Sequence, residues 1–527
     1  MISRRSLLGA PLALPPATGG AAERLFDVVI YGATAGGVIA AVAAAREGLR
    51  VALLDPGRHI GGMTSGGLGR TDHGKKETIG GCSLEFYGRV GKHYDEPITW
   101  YFEPHVAEQV LSEMLTETSV AVHKEHRLRA EGGVKKKKRR VSEIIMENGS
   151  AWPALIFMDC TYEGDLMALA GVSHTCGREG VSQYGESLAG VRPKDRGHQF
   201  DFPVSAYDEN KQLLPDIQAV PRGELGAADK KVQAYNFRMC LSDDPNNQVP
   251  FPKPPGYNPR RWLLLLRYIQ GWEKHYGRLP KMNELFIVSR LAKPSKTDVN
   301  NRNAVSTDFI GASWEYPEGD YSKRAAIWQE HINYTAGLFY FLANDPGVPK
   351  PLQEEVQGWG LAADEFIDTN HWPHQLYVRE ARRMVGDFVM TQKDIQTELA
   401  KPDAIGMGSY NSDSHNVQRY VQADGTVQNE GNMEVPVSPY QIPYRVLLPK
   451  KKEAENLLVP VCVSASHVTY STLRMEPVYM ILGHAAGVAA KMAISAGKPV
   501  QDVDTGALAA RLRTQGAVME WIKPSGG

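Results

Sequence analysis

Residues 26–69 read FDVVIYGATAGGVIAAVAAAREGLRVALLDPGRHIGGMTSGGLG, and this stretch decides the fold. Phe26 to Tyr31 is a short, β-branched, nearly all-apolar run, the pattern of a parallel strand buried on both faces. The glycine-rich turn Gly32-Ala33-Thr34-Ala35-Gly36-Gly37 leads into an alanine-dense helix that runs to about Arg46 and is closed by Gly48. Arg50 to Leu54 reads as a second strand, followed by Asp55. Gly32 permits the sharp turn, Gly37 lets the helix pack closely on the sheet, and the helix N-terminus offers N–H groups to a pyrophosphate. Asp55 stands 18 residues after Gly37, where an acid accepts the hydroxyls of an adenosine ribose. Thr34 replaces the middle glycine of G-x-G-x-x-G and is expected to crowd the phosphate turn. Strand, turn, helix, strand and acid together specify a dinucleotide site.

A chain of 527 residues exceeds one ordinary core, so two or more domains are expected. Charged residues make up 23% and the net charge is −1, so no global field favours nucleic acid or an anionic membrane. The mean hydropathy is −0.34, and no apolar run reads as a bilayer span. Five scattered cysteines, Cys82, Cys160, Cys176, Cys240 and Cys462, form neither a disulfide framework nor a metal-ligand spacing. Residues 1–22 carry Ser3-Arg4-Arg5-Ser6-Leu7-Leu8 and small residues at Gly20-Ala21-Ala22. They read as a twin-arginine export signal, which implies a periplasmic protein exported already folded.

Residues 23–172 are expected to form the first part of the nucleotide-binding domain, with an amphipathic helix over 103–118 and a strand at 119–122. A hairpin over Leu128–Gly149 follows, with Lys135 to Arg140 at its tip; these six consecutive cations, without interleaved aromatics, receive no function. Trp152 to Cys160 is a buried strand whose end brings a further acid to the edge that holds Asp55. Residues 173–427 read as an inserted α+β substrate domain, with helical patterns at about 258–276, 320–343 and 373–390. Six of the nine tryptophans lie there, either as a sugar-stacking platform or as core. Residues 428–527 return to the first domain, with a strand at Asn456–Val463 that Pro460 interrupts and a helix from Val478 to Ala496 capped by Gly497.

Five pieces, namely DVVIYGATAGGVIAA with Asp55, the GGMTSGG loop, DCTYEGDLMALAG, YVREARR at 377–383 and the run from Asn456 to Gly487, resemble the FAD-dependent oxidoreductases of glutathione-reductase structural type. The similarity is closest to exported bacterial members labelled xanthan-lyase-like. It implies a doubly wound FAD-binding domain split by the insert. It also implies that Gly32, Thr34, Ala35 and Gly37 hold the pyrophosphate and Asp55 the ribose. Gly62 and Met63 would line the flavin side, Gly164 and Asp165 a second strand-end contact. Arg474 and Met475 open a helix whose N-terminus faces the flavin pyrimidine, where it would stabilise negative charge on the reduced ring. The combination is specific for FAD and not for a reaction.

Flavin chemistry further needs a group that handles a proton. His467, in a serine-rich loop before that helix, is the first candidate and His415 the second, with Asp413 placed to bias its tautomer; structural hydrogen bonding explains either histidine equally well. Arg379, Arg382 and Arg383 read as one helix, with Arg379 and Arg382 sharing a face. Cys462 reads as a structural thiol, and the H-x-x-H of His371 and His374 as no metal site. The first function hypothesis is oxidation of an alcohol, a sugar or glycoside, by hydride transfer to FAD. Reduction of an activated double bond, with Arg382 as the hint of an anion clamp, is the alternative. A non-catalytic carbohydrate-binding protein on a decayed nucleotide scaffold, favoured only by Thr34, is the third. The partners implied are a small-molecule substrate and an unidentified electron acceptor, with no nucleic acid.

Overall fold

The computed structural model describes residues 26–522; the export segment 1–22 lies outside them. In chain order come β1 (Phe26–Tyr31), α1 (Ala35–Arg46), β2 (Val51–Leu54), α2 (Gly81–Lys92), α3 (Pro104–Thr116), β3 (Ala121–His123), β4 (Val134–Lys137), β5 (Arg140–Ile145) and β6 (Ala151–Asp159). The sheet order is β3-β2-β1-β6-β5-β4. Pairing is parallel from β3 through β6 and antiparallel at the β4–β5–β6 edge. Val28 to Tyr31 are buried because helices and loops cover both faces, which is why the run is apolar without alternation. The carboxyl ends of β1, β2 and β6 point one way and bring Gly32, Asp55 and Thr161 to one edge.

Past its contact with β5, β6 pairs in parallel with Leu457 and Leu458 through Phe157 and Met158. The strand expected over 456–463 shrinks to these two residues, since Pro460 has no N–H for a ladder. The C-terminal helix Glu476–Ala496 starts two residues earlier than the sequence pattern suggests, with Pro477 in its first turn, and ends at left-handed Gly497. By length and composition alone this helix could cross a membrane, but 78% of its apolar window is buried inside the fold. It packs on α1 and α2. A Cβ on Gly483 would fall on the Gly36 carbonyl oxygen, one on Gly487 would lie 2.8 Å from Ala40 O, and one on Gly36 would lie 2.9 Å from Tyr479 O. The two helices meet backbone to backbone.

The middle of the chain contributes a five-stranded antiparallel sheet, ordered Phe286–Arg290, Lys296–Asn301, Met239–Ser242, Gly360–Ala362, Gln248–Val249. Helices Leu263–Tyr276 and Tyr321–Asn344 accompany it. Asp320 caps the second by accepting from Lys323 N at 2.7 Å. Trp262, Trp272 and Trp372 are core, whereas Trp314, Trp328 and Trp359 stay half-buried.

The helix expected over 373–390 does not form. The segment is extended, and Arg383–Met384 pairs with His174–Thr175. Residues 376–384 are buried on every side, so a helix there would have no solvent face for its four charges. Arg379 and Arg382 therefore share no face. Arg379 reaches Asp308 at 3.0 Å, Arg382 bonds Asp165 at 2.8 Å and Glu318 at 2.9 Å, and Arg383 bonds Glu179 at 2.5 Å and also pairs with Glu380.

In an ordinary exposed helix Gly→Ala stabilises by about 1 kcal/mol. At Gly483 the sign reverses, because a backbone carbonyl cannot move aside. Gly483→Ala is expected to destabilise the protein by about 1–3 kcal/mol in a denaturant titration; a gain in stability would contradict the backbone contact.

Candidate functional site

The turn after β1 is built around two residues. Gly32 has φ +100°, and a Cβ there would lie 2.7 Å from Cys160 C and Thr161 N, so only glycine fits. Thr34 caps α1: its hydroxyl accepts from Gly37 N at 3.2 Å and donates to Cys160 O at 2.8 Å. The side chain points into the protein, which corrects the expectation that it crowds the phosphate turn. Asp55 pins the same turn, accepting from Ala33 N at 2.6 Å and Gly57 N at 2.7 Å. Burial raises its pKa to about 6 against these bonds. Ala35 and Gly37 lie in the first helical turn, where N–H groups lack intrahelical acceptors.

Above this edge lies a cavity of about 430 Å³, with Gly32, Thr34 and Asp55 on one side and Tyr316, Tyr321, Arg324 and Trp328 on the other. Asp165 lines it too, held by Arg324 at 2.8 Å and Arg382 at 2.8 Å, while Gly164 has the left-handed φ of +69° that turns the chain there. A second cavity of about 480 Å³ adjoins it, shares Trp328, Gln329 and His374, and is also lined by Trp372 and His59.

Gly62 and Met63 lie against Tyr162. The Tyr162 hydroxyl accepts from Met63 N at 2.9 Å and donates to Glu476 Oε1 at 2.7 Å, and Thr64 donates to Glu476 Oε2 at 3.0 Å. Glu476 opens the C-terminal helix and is buried without a cation, which raises its pKa to about 7. Met475 is the N-cap residue of that helix. Arg474 donates to Tyr377 OH at 3.0 Å and to Asp413 O at 2.7 Å.

Three guanidinium groups surround the Tyr377 ring, with Arg379 at 4.7 Å, Arg474 at 5.8 Å and Arg238 at 5.9 Å from its centroid. Arg238 is held by Asp298 at 2.6 and 2.8 Å. In this buried cluster Arg238 Nη1, Arg379 Nε, Arg474 Nε and Asn236 Oδ1 have no hydrogen-bond partner among the described residues, although Arg238 Nη1 faces Asp72 at 3.8 Å. His415 packs beside the cluster, with Nδ1 2.7 Å from Asp308 Oδ2 and Nε2 3.8 Å from Asp413 Oδ1. The tautomer is therefore set by Asp308, from a distant segment, rather than by Asp413. Burial opposes ionisation of Asp308, but Arg379 and His415 outweigh it and hold its pKa at about 2. Burial, aided by Arg379, lowers the His415 pKa and keeps the ring neutral.

His467 is elsewhere. It begins the helix His467–Leu473 instead of standing in a loop, with Nδ1 2.8 Å from Glu380 and Nε2 3.2 Å from Ser414. Burial lowers its pKa to about 3. Both nitrogens meet hydrogen-bond partners, as a packing role requires. Cys462 is buried, donates to Thr161 O and Tyr162 O at 3.4 Å, and has its pKa raised by burial.

His371 and His374 do not act as a pair. His374 stacks on His59 at 4.0 Å and 8°, and Glu108 completes a group whose donor atoms lie within 4.8 Å of one another. Both His59 nitrogens already face carboxylates, Glu108 at 3.1 Å and Asp368 at 3.1 Å. The group is an ion-pair clasp between the loop after Asp55 and the middle region. Around Lys296, Glu103 and Glu365 form a second such joint, at 2.7 and 2.5 Å.

Asp308, Asn236, Arg238 and Tyr162 escaped sequence reading. Tyr162 lies inside the DCTYEGD run and was within reach, whereas Asp308 and Asn236 carry no local signal.

Fold and cleft together define a dinucleotide-binding α/β protein. The chain matches the family model described as FAD dependent oxidoreductase over residues 27–512, and it belongs to that family; FAD is the cofactor and the protein is an FAD-dependent oxidoreductase. No curated protein matches. Among solved structures it is similar to a thioredoxin reductase of T. acidophilum, with 24% identity, 31% of this chain and 41% of that chain covered, and a TM-score of 0.19. It is also similar to THI4 of Thermovibrio ammonificans, with 17%, 29% and 66%, TM-score 0.22. A flavoprotein/dehydrogenase from Cytophaga hutchinsonii gives 15%, 28% and 42%, TM-score 0.21. The chain spans less than two thirds of each of these structures, and overlaps this partial add nothing to the family match. The residues fit FAD: a glycine turn that a Cβ would block, a capped helix start, and an acid at the end of the second strand.

The hydrogen bond to Glu108 chiefly raises the His59 pKa, with Asp368 adding to it against desolvation. A raised histidine pKa contributes stability that is full below the unfolded value of about 6.5 and is lost as pH rises through the folded value. The melting-temperature difference between the wild type and His59→Gln is thus expected to be largest at mildly acidic pH and to shrink above neutrality. A difference independent of pH would remove the clasp from the account.

Proposed function

We propose that this protein oxidises a hydroxyl group of a sugar or glycoside. The Asp308–His415 dyad, set in the buried polar cluster beside Arg474, carries this reading. Bound FAD supplies a two-electron acceptor. His415, neutral and oriented by Asp308 through Nδ1, leaves Nε2 to take the hydroxyl proton. Asp308, already ionised, stabilises the imidazolium that results.

The cluster's chemistry supports a polyhydroxylated ligand. Its unpartnered groups include donors, on Arg238, Arg379 and Arg474, and an acceptor, on Asn236, and each hydroxyl can both donate and accept. The three guanidinium groups face four carboxylates, Asp72, Asp298, Asp308 and Asp413. That balance disfavours the double-bond reductase, whose anionic substrate needs surplus positive charge, and Arg382 is consumed by Asp165 and Glu318. Thr34, the one feature favouring a non-catalytic scaffold, is accommodated as a cap. Trp328 and Trp372 at the outer cavity are consistent with a sugar-stacking wall.

The split-domain reading, with 173–427 as the substrate-selecting insert, draws support from Leu457–Leu458 joining β6 and from the C-terminal helix packing on α1. Export rests on the twin-arginine segment alone, and fractionation of expressing cells tests it.

The purified protein is expected to show a flavin spectrum and to bleach anaerobically with a sugar or glycoside. His415→Gln should keep FAD bound and slow bleaching by about 10²–10⁴-fold. In the wild type, the lowered His415 pKa should hold the rate constant as pH falls through about 6.5, with loss only below that. Unchanged bleaching by His415→Gln would exclude the dyad, and a colourless protein that takes up no FAD would exclude the whole reading.

A further inference from the structure

The six consecutive cations Lys135 to Arg140 at the β4–β5 tip do not stand alone in the folded chain. The tip lies against residues 450–456. Glu455 N donates to Arg139 O at 3.0 Å, and Lys136 Nζ donates to Glu453 O at 2.7 Å. Arg139 and Arg140 reach Glu455 at 3.2 and 3.5 Å. This contact brings Lys450, Lys451 and Lys452 alongside the hairpin, and a bond from Val500 N to Glu455 O at 3.1 Å adds the loop of Lys498.

Ten cations thus gather around this contact, opposed there by Glu143, Glu453, Glu455 and Asp502. Lys451 pairs with Asp502 at 2.6 Å and Lys450 approaches Glu453 at 3.8 Å. Lys135, Lys137, Lys138, Lys452 and Lys498 are exposed and make no ion pair among the described residues. In a chain of net charge −1 this is a strong local departure.

Its composition selects the partner. Eight of the ten cations are lysines, hydrated point charges on flexible stems without the bidentate fork of arginine. Neither 134–141 nor 450–456 contains an aromatic residue to stack on a nucleobase or to anchor a folded protein partner. A hairpin tip is convex and offers no groove. We propose that this face docks the protein peripherally on a membrane surface rich in anionic phospholipid headgroups. Each exposed lysine adds an attraction that fades within a Debye length. The docking requires neither the cleft nor the redox reaction.

The test is co-sedimentation of the FAD-loaded protein with vesicles of phosphatidylcholine, alone or mixed with an equal share of phosphatidylglycerol. Binding is expected only to the mixed vesicles at about 0.1 M salt, where the Debye length is about 10 Å, and is expected to be lost near 1 M, where it is about 3 Å. The combined Lys135→Glu, Lys137→Glu, Lys138→Glu variant should weaken binding at least ~tenfold, and the Lys→Arg variant at the same positions should retain it. Equal binding to uncharged vesicles would overturn the proposal, as would full binding by the charge-reversed variant with unchanged circular dichroism. So would a wild type that ignores the mixed vesicles but is retained by duplex DNA, which would assign the face to a different polyanion. Should charge reversal prevent folding, the wild-type salt dependence and the arginine variant still decide.

Discussion

The structure depends on one contact, the approach of α1 to the C-terminal helix at backbone distance. Gly36, Gly483 and Gly487 leave no side-chain layer between the helices, and α1 is buried from Ala35 through Ala44 between sheet and helices. An all-round buried helix explains the alanine-dense sequence, since any larger side chain would separate it from a neighbour. The contact also sets the site. It places the start of the C-terminal helix beside the nucleotide turn, so that Glu476 can reach Tyr162 and Thr64 from the opposite end of the chain.

From that junction the polar interior spreads through buried charge. Arg474 touches Tyr377 and Asp413, Arg379 meets Asp308, and Asp308 orients His415. Arg383 and Glu380 hold His467 in a separate buried cluster. Groups buried to this degree survive only when paired, and breaking one pair leaves the other charge stranded. The extended path of 373–390 follows from this. Arg379, Arg382 and Arg383 must reach acids on different elements, whereas a helix would bring these i, i+3 and i+4 positions onto one face.

The nucleotide half of the molecule was legible from local pattern. The β-branched run, the turn glycines and Asp55 each act within a few residues or at a set spacing, and all three appear where the sequence places them. The chemistry was legible only in part. His415 was visible as a candidate, but its partner Asp308 lies over a hundred positions away with no motif around it. The partner of His467, Glu380, was hidden because its segment read as a helix that does not form. Thr34 looked obstructive because sequence shows size but not direction.

Sequence alone determined the class: a dinucleotide fold, its strand–turn–helix, and the acid after the second strand, because these rest on short-range sterics and hydrogen bonds. Tertiary structure alone decided which carboxylate each histidine meets, which arginines gather around Tyr377, and that two lysine runs far apart in the chain lie side by side. Those outcomes depend on long-range burial and charge pairing. A residue's environment is set there by segments that no local pattern names.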